Sequence, residues 1–196
     1  AWRLHEGVRR KSGEPYFDHP FEAAMNLFRL GLGTPTRIKM TLVHDVAEDA
    51  DDLKQPKMDP ITGVAPESHK HWFKRVTHLF ANDIGFHAAR GSLLLSRPQP
   101  DGVEIFTPEQ ADSLYDSNVV SSIDTILVKV VGDRWHNVRT LWAMPAKNRR
   151  QTIKETREKY LPLLQRVAKR YPTQVRWATE EMEREMVALE QLDDAE

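Results

Sequence analysis

LVHDVAED, residues Leu42 to Asp49, sets a His-Asp doublet one helical turn ahead of a Glu-Asp doublet. On a helix advancing about 100° per residue, His44 lies over Glu48 and Asp45 over Asp49, so four polar groups project toward one wall. Leu42, Val43, Val46 and Ala47 are interleaved with them, which predicts a largely buried helix whose polar groups need partners inside the protein. A metal ion is such a partner.

Upstream, Thr34 and Pro35 read as the N-cap and first-turn residues of the same helix, with Ile38, Leu42, Val43 and Val46 on its apolar side and Asp49 to Asp52 ending it in acid. Before it, Phe21, Ala24, Met25, Phe28 and Leu32 recur at helical spacing from Pro20 to the glycines Gly31 and Gly33, and His19 stands at the entrance. Arg9 to Tyr16, RRKSGEPY, is a basic loop broken by Gly13 and Pro15, whose plain reading is a solvated turn. Ala1 to Val8 read as the tail of a helix; with Ala1 in place of Met, this gives the expectation of a trimmed N-terminus and leaves a removed leader open.

Downstream, Leu53 to Pro66 carries three prolines and a glycine and reads as a long loop or lid. Glu67 to Ala81 is helical through Trp72, Phe73, Val76 and Leu79 or Phe80. Leu93 to Ser96 and Val103 to Phe106 flank a Pro-Gln-Pro-Asp-Gly turn and predict a small hairpin, the only β structure expected. Thr107 and Pro108 open a short helix, with Glu109 and Gln110 near its start. From Val119 to Met144 the apolar residues Val119, Ile123, Ile126, Leu127, Val130, Val131, Val138 and Leu141 keep a helical period, against a competing strand at Thr125 to Val131 favoured by β-branching. Past Pro145, Ile153, Arg157, Tyr160, Leu161, Leu164, Val167, Ala168 and Tyr171 trace one long helix kinked or restarted at Pro162. Thr173 caps a last helix bearing Val175, Ala178, Met182, Met186 and Leu189, whose acidic end, Asp193 to Glu196, is expected to fray. The expected fold is all-α: a single helical-bundle domain over residues 1–196, with 172–196 as the C-terminal helix and at most one small β-hairpin.

The totals limit the function. At 196 residues the chain fills one good core, and 28 Lys and Arg against 29 Asp and Glu argue against a protein that wraps a polyanion. No aromatic-rich basic stripe accompanies the short basic loop, so no nucleic-acid partner is expected. Cysteine is absent, which removes disulfides, thiolate metal sites and cysteine nucleophiles, and fits a reducing, cytoplasmic setting. No window approaches the roughly 18 consecutive apolar residues of a membrane span.

Three separated segments offer nitrogen or oxygen ligands at helix edges: His19, the His44-Asp45 doublet, and Asp133 in GDRWHN, Gly132 to Asn137. Two imidazoles and two carboxylates suit a hard or borderline divalent cation with open positions for water and a substrate oxygen. Manganese fits best, with zinc, iron or magnesium behind it. Asp133, Asn137 and Thr140 fall at i, i+4 and i+7, so one face carries a ligand followed by two hydrogen-bonding groups. The bland alternatives are real: a lone buried His or Asp is more often hydrogen-bonded structure, and Arg134 suits a salt bridge to a neighbouring acid. His69, His71 and His78 have suggestive spacing, but they fall in or beside a polar loop.

RRKSGEPYFDHP (Arg9 to Pro20), VHDVAED (Val43 to Asp49) and VKVVGDRWHNVRTL (Val128 to Leu141) stand in the order and approximate spacing of the RelA/SpoT-homologue hydrolase domain, which the chain resembles over about residues 1 to 167. Glu155-Thr156 with Tyr160 to Leu163 is similar to that family's ETLEIYAPL segment. The family belongs to the HD superfamily of metal-dependent phosphohydrolases. The resemblance implies His19, His44, Asp45 and Asp133 as metal ligands, manganese as the ion, and Glu48 and Asp49 as the acidic pair that activates or positions the attacking water. It assigns Arg10, Lys11 and Ser12 to the guanosine of the substrate, and Asn137 and Thr140 to the ribose and scissile phosphate. The implied reaction removes pyrophosphate from the 3′ position of (p)ppGpp, a small guanine-nucleotide alarmone, to return GDP or GTP. In length the chain resembles the small stand-alone alarmone hydrolases, and a fragment of a longer protein stays open.

Departures from the family pattern are Trp135 within DRWHN, Val131-Gly132 before it, and Ala47. None removes a ligand. Leu53 to Lys70 and Arg97 to Glu104 match nothing in the family, and lids and specificity belong to such loops. Two rival functions follow: an HD phosphohydrolase acting on another nucleotide such as NADPH, and a catalytically silent alarmone-binding module.

Overall fold

The computed structural model describes residues 3, 5–50 and 53–195, with side chains described as far as 193. Eleven α-helices account for it: α1 Asp18–Arg29, α2 Pro35–Val43, α3 Val46–Asp49, α4 His69–Ile84, α5 Phe86–Leu94, α6 Pro108–Val119, α7 Ile123–Leu127, α8 Trp135–Arg139, α9 Ala146–Glu155, α10 Leu161–Gln165 and α11 Pro172–Ala195. Two π segments, Val128–Arg134 and Thr156–Tyr160, join α7 to α8 and α9 to α10. The all-α expectation holds. Among the described residues the only β pairing is an isolated bridge between Arg9 and Pro15 in the basic loop.

Capping residues start the helices where side-chain oxygens meet orphan N–H groups. Thr34 accepts from Arg37 N with Pro35 in the first turn, Ser68 accepts from His71 N, and Thr107 and Gln110 form a reciprocal capping box before α6. Ile123 to Arg139 is helical, in place of the competing strand at Thr125 to Val131, while Val119 closes α6 and Val120 to Ser122 break the period; the β-branched run Val128, Val130 and Val131 is fully buried and packs α7 and the first π segment into the core. Leu27 of α1, Leu127, Trp135, Val138, Leu164, Met182 and Met186 belong to the same cluster, and truncating one such Leu or Met to Ala costs about 2–5 kcal/mol.

Several expectations are corrected. Residues 93–106 form no hairpin: Leu93 and Leu94 end α5, and the carboxylate of Asp101 accepts the N–H groups of Val103, Glu104 and Ile105 in place of a strand partner. The helix expected through LVHDVAED is interrupted at His44 and Asp45, dividing α2 from α3. In α1 the inward residues are His19, Ala23, Ala24 and Leu27, and Ala24 and Leu32 are buried as expected, but Phe21 and Phe28, roughly 180° around the helix from His19, are 49% and 66% exposed. His69, His71 and His78 lie on α4, beside the preceding loop, and α4 runs from His69 to Ile84 where Glu67 to Ala81 was expected. The helix expected to run on to Tyr171 stops at Gln165, and α11 starts at Pro172, so Thr173 is inside it rather than its cap. Residues 3 and 5–8 form turns where a helix tail was expected; residues 1, 2 and 4 of that tail, Asp51 and Asp52 of the acidic end, and the side chains of 194–196 at the C-terminus lie outside the described residues. No helix among the described residues is long and apolar enough to cross a membrane.

Candidate metal centre and active site

His19 comes from the first turn of α1, His44 and Asp45 from the break between α2 and α3, and Asp133 from the first π segment. Neighbouring residues on a regular helix point about 100° apart. At the break the two meet. Asp45 has φ −90° and ψ −13°, its carbonyl accepts from both Glu48 N and Asp49 N, and the two side chains converge. The π segment places Asp133 opposite them, a local widening of the helix of the kind that recurs at functional sites.

Around that centre, His44 Nε2 lies 3.1 Å from Asp45 Oδ1 and 3.8 Å from Asp133 Oδ1, while His19 Nε2 lies 3.3 Å from Asp133 Oδ1 and 3.6 Å from Asp45 Oδ2. His19, His44 and Asp133 are buried. The backbone and neighbouring rings orient both imidazoles. His44 Nδ1 donates to the Thr41 carbonyl at 2.7 Å, which leaves Nε2 deprotonated in the neutral ring; that atom is buried and has no hydrogen-bond partner. His19 Nδ1 meets His136 Nδ1 at 2.8 Å. An orphaned imidazole nitrogen facing two carboxylates and a second imidazole fits a divalent cation, and His19, His44 and Asp45 could hold one within a 4.8 Å cluster.

Without an ion the charges balance one another. Burial opposes protonation of His44, but Asp45 and Asp133 outweigh it and lift its pKa to about 9. Burial would raise Asp133, yet Lys129, with help from His19 and His44, holds it well below the carboxylate range. Lys129 Nζ donates to Asp133 Oδ2 at 2.6 Å and Asn137 Nδ2 to Oδ1 at 2.5 Å, so each carboxylate oxygen has a fixed donor one turn away. Tyr16 donates to Asp45 Oδ2 at 3.2 Å and stacks on His5, and burial followed by Asp45 pushes its hydroxyl pKa far up. Burial, His19 and Arg10 depress His136 to about 3, so it is a neutral partner for His19.

Two cavities meet at this centre. One, about 630 Å³, is lined by Arg10, Lys11, Ser12, His19, Asp45, Asp133, Asn137 and Thr140, with Val8, Leu141 and Met144 as apolar walls. Arg10 donates to Asn137 Oδ1 at 2.8 Å, tying the basic loop to α8. The other, about 570 Å³, is lined by His44, Asp45 and Glu48 on one side and by Lys54, Lys57, Arg97 and Gln99 from the two unmatched loops on the other. Lys129 and Arg134 reach both.

Every residue assigned to the site from sequence lines one of these two cavities except Asp49. That carboxylate turns toward His5, 3.8 Å away, and lines neither cavity, so the Glu-Asp pair is divided. Glu48 faces the second cavity, where the crowding of protein around it and then Asp45 raise its pKa against the Arg97 N–H, Lys129 and His44. Arg134 does pair with Glu155, at 2.9 Å, and its guanidinium stacks on Tyr160 at 3.9 Å. Lys129, His136 and Tyr16 were not singled out. Lys129 had a readable signal, a lysine one turn before Asp133; His136 sat inside GDRWHN and Tyr16 inside RRKSGEPYFDHP.

Over 183 residues, 92% of its length, the chain is 30% identical to the GTP pyrophosphokinase of Myxococcus xanthus. It is also 30% identical over 169 residues, 85% of its length, to the guanosine-3′,5′-bis(diphosphate) 3′-pyrophosphohydrolase of Aquifex aeolicus. The chain belongs to the RelA/SpoT-homologue family. It spans about a fifth of the length of those curated relatives, 20% of each. No family model matches the chain. A further RelA/SpoT homologue, the GTP pyrophosphokinase of Streptomyces coelicolor, is 27% identical over 183 residues, covering 93% of this chain and 18% of that protein.

Proposed function

We propose that this RelA/SpoT homologue is a metal-dependent phosphohydrolase that removes the 3′-pyrophosphate of (p)ppGpp. The observation that carries the reading is the meeting of His19, His44, Asp45 and Asp133, with the buried Nε2 of His44 left unpartnered. These four would hold one divalent ion, with manganese the first choice among borderline and hard cations. Bound there, the ion supplies Lewis acidity: a lowered pKa for a water and polarisation of a phosphoryl oxygen.

The rest is done by side chains. Arg10, Lys11 and Ser12 bind the guanosine end in the larger cavity, whose apolar Leu141 and Met144 suit a base. Asn137 and Thr140 orient the ribose. Glu48 takes a proton from the attacking water; its raised pKa brings it closer to the working pH of a general base. Water oxygen bonds to the 3′ phosphorus, the bond from phosphorus to the ribose 3′ oxygen breaks, and that oxygen takes up a proton. Lys129 and Arg134, which face both cavities, offset charge on the departing pyrophosphate.

Metal analysis of the purified protein, joined to product identification from ppGpp, NADPH, simple nucleotides and an ATP plus GTP mixture with manganese, tests this. The expected result is pyrophosphate and GDP from ppGpp. Negligible release from ppGpp beside brisk turnover of NADPH, or formation of ppGpp from ATP and GTP, overturns it. Glu48→Gln is expected to keep metal and lose turnover.

A further inference from the structure

Arg97 to Pro100, RPQP, has two prolines and therefore only two backbone N–H groups, those of Arg97 and Gln99. Both have assigned partners. Gln99 is clamped by the buried side chain of Gln55, whose Oε1 accepts Gln99 N at 3.0 Å and whose Nε2 donates to Gln99 O at 2.8 Å. Arg97 N donates to Glu48 Oε1 at 2.6 Å, across 49 residues of sequence. Just downstream, the fully buried Asp101 gathers four backbone donors: Oδ1 takes Val103, Glu104 and Ile105, and Oδ2 takes His69 N at 2.7 Å, the first residue of α4. The loop is thus rigid by proline, by the Gln55 clamp and by the Asp101 knot. The Arg97 amide ends on the carboxylate assigned to the water.

We propose that the Arg97 amide, held by Gln55 and Asp101, is the positioning device for Glu48: it fixes one carboxylate oxygen so that the other is presented to the water at the metal centre. The inference rests on the reading of Glu48 given above. An ionised carboxylate offers about four lone-pair positions, so one N–H orients Glu48 without consuming its capacity to accept a proton. A side chain at the end of a short helix, open to a cavity, otherwise has several rotamers to choose from, and misplacement of a reacting group by about 1 Å costs up to about 100-fold. The device uses two loops that lie outside the three quoted motifs and contain none of the four metal-ligand candidates.

The test removes the donor while keeping the side-chain environment as close as possible. Arg97→Pro deletes the N–H and Arg97→Ala keeps it; Gln55→Leu frees the loop without altering either residue, and serves if Arg97→Pro does not fold. Manganese affinity by calorimetry, melting temperature, kcat and KM are measured for each, with Glu48→Gln alongside. Arg97→Pro, or Gln55→Leu in its place, is expected to lower kcat about tenfold or more relative to Arg97→Ala, with manganese affinity and KM within about twofold of wild type. Equal kcat in the proline and alanine variants, or an unchanged kcat in Gln55→Leu, overturns the positioning role while Glu48→Gln remains inactive. Full activity in Glu48→Gln instead overturns the reading of Glu48 itself.

Discussion

His136 is buried against His19 and Arg10, and burial, His19 and Arg10 keep it neutral down to a pKa of about 3, against an ordinary 6.5. Between those values the unfolded chain binds a proton that the folded chain refuses. Stability therefore rises with pH across that window, and is lost as pH falls from 6.5 toward 3. In metal-free protein, His136→Asn, whose Oδ1 replaces the Nδ1 acceptor, is expected to flatten this acid limb by up to about one proton, read from urea unfolding at a series of pH values. An unchanged slope sinks the assignment. Lys129 carries the opposite liability. It is the partly buried cation of Asp133, so Lys129→Met is expected to cost about 3 kcal/mol in metal-free protein, and distinctly less once a divalent cation can take the ammonium's place. Thermal melts of the variant with chelator and with manganese separate the two; equal destabilisation in both would mean that Lys129 and the ion do not share Asp133.

Helices with a capping pair or an unbroken apolar period were legible in the sequence. Thr34-Pro35 and Thr107-Pro108 start α2 and α6 as expected, because a cap is a local contact between neighbours. What was not legible depends on distant partners. The break at His44 and Asp45 sets two adjacent side chains 3.1 Å apart beside residues from α1 and the π segment, and the absent hairpin at 93–106 was lost to Asp101, whose charge captures the turn's own N–H groups and the start of α4. The same division holds for the site: His19, His44, Asp45 and Asp133 are visible as ligand types in motifs, whereas Tyr16 reaches Asp45 only through the folding of the basic loop. Two glycines test the element scale. Gly132, in the first π segment, has ordinary contact distance for a Cβ, 3.4 Å to Thr41 Cγ2 and 3.5 Å to the Ala23 carbonyl. Gly132→Ala is therefore expected to stabilise by about 0.5–1 kcal/mol through helix propensity. Gly102 has φ +72° and a Cβ there would collide with the Gly63 carbonyl, so Gly102→Ala is expected to destabilise by about 2 kcal/mol or more and to detach the two loops. Chemical denaturation of both variants decides, and a destabilised Gly132→Ala would show that the π segment tolerates no added methyl group.

At the scale of the whole molecule the centre gathers residues from elements that the core also packs together. His19 and Asp133 are 114 residues apart in the chain, α1 packs on the first π segment, and α11 is clasped over α8 by Glu185, which accepts from both Trp135 Nε1 and Arg139 Nε. An ion shared by α1, the α2–α3 break and the π segment binds only when all three are assembled, so its binding free energy adds to folding. At a free manganese concentration of about 100 times the dissociation constant, the gain is about 2.7 kcal/mol. For a domain of this size that is a rise of roughly 5–10 °C in Tm. The rise is expected to vanish with chelator and in Asp133→Asn, and to survive in Glu48→Gln and Asp49→Asn, whose carboxylates lie outside the four-residue cluster. Manganese with no effect on the melting of the wild-type protein, under conditions where a chelated sample melts at the same temperature, would remove the ion from the site and with it the proposed chemistry.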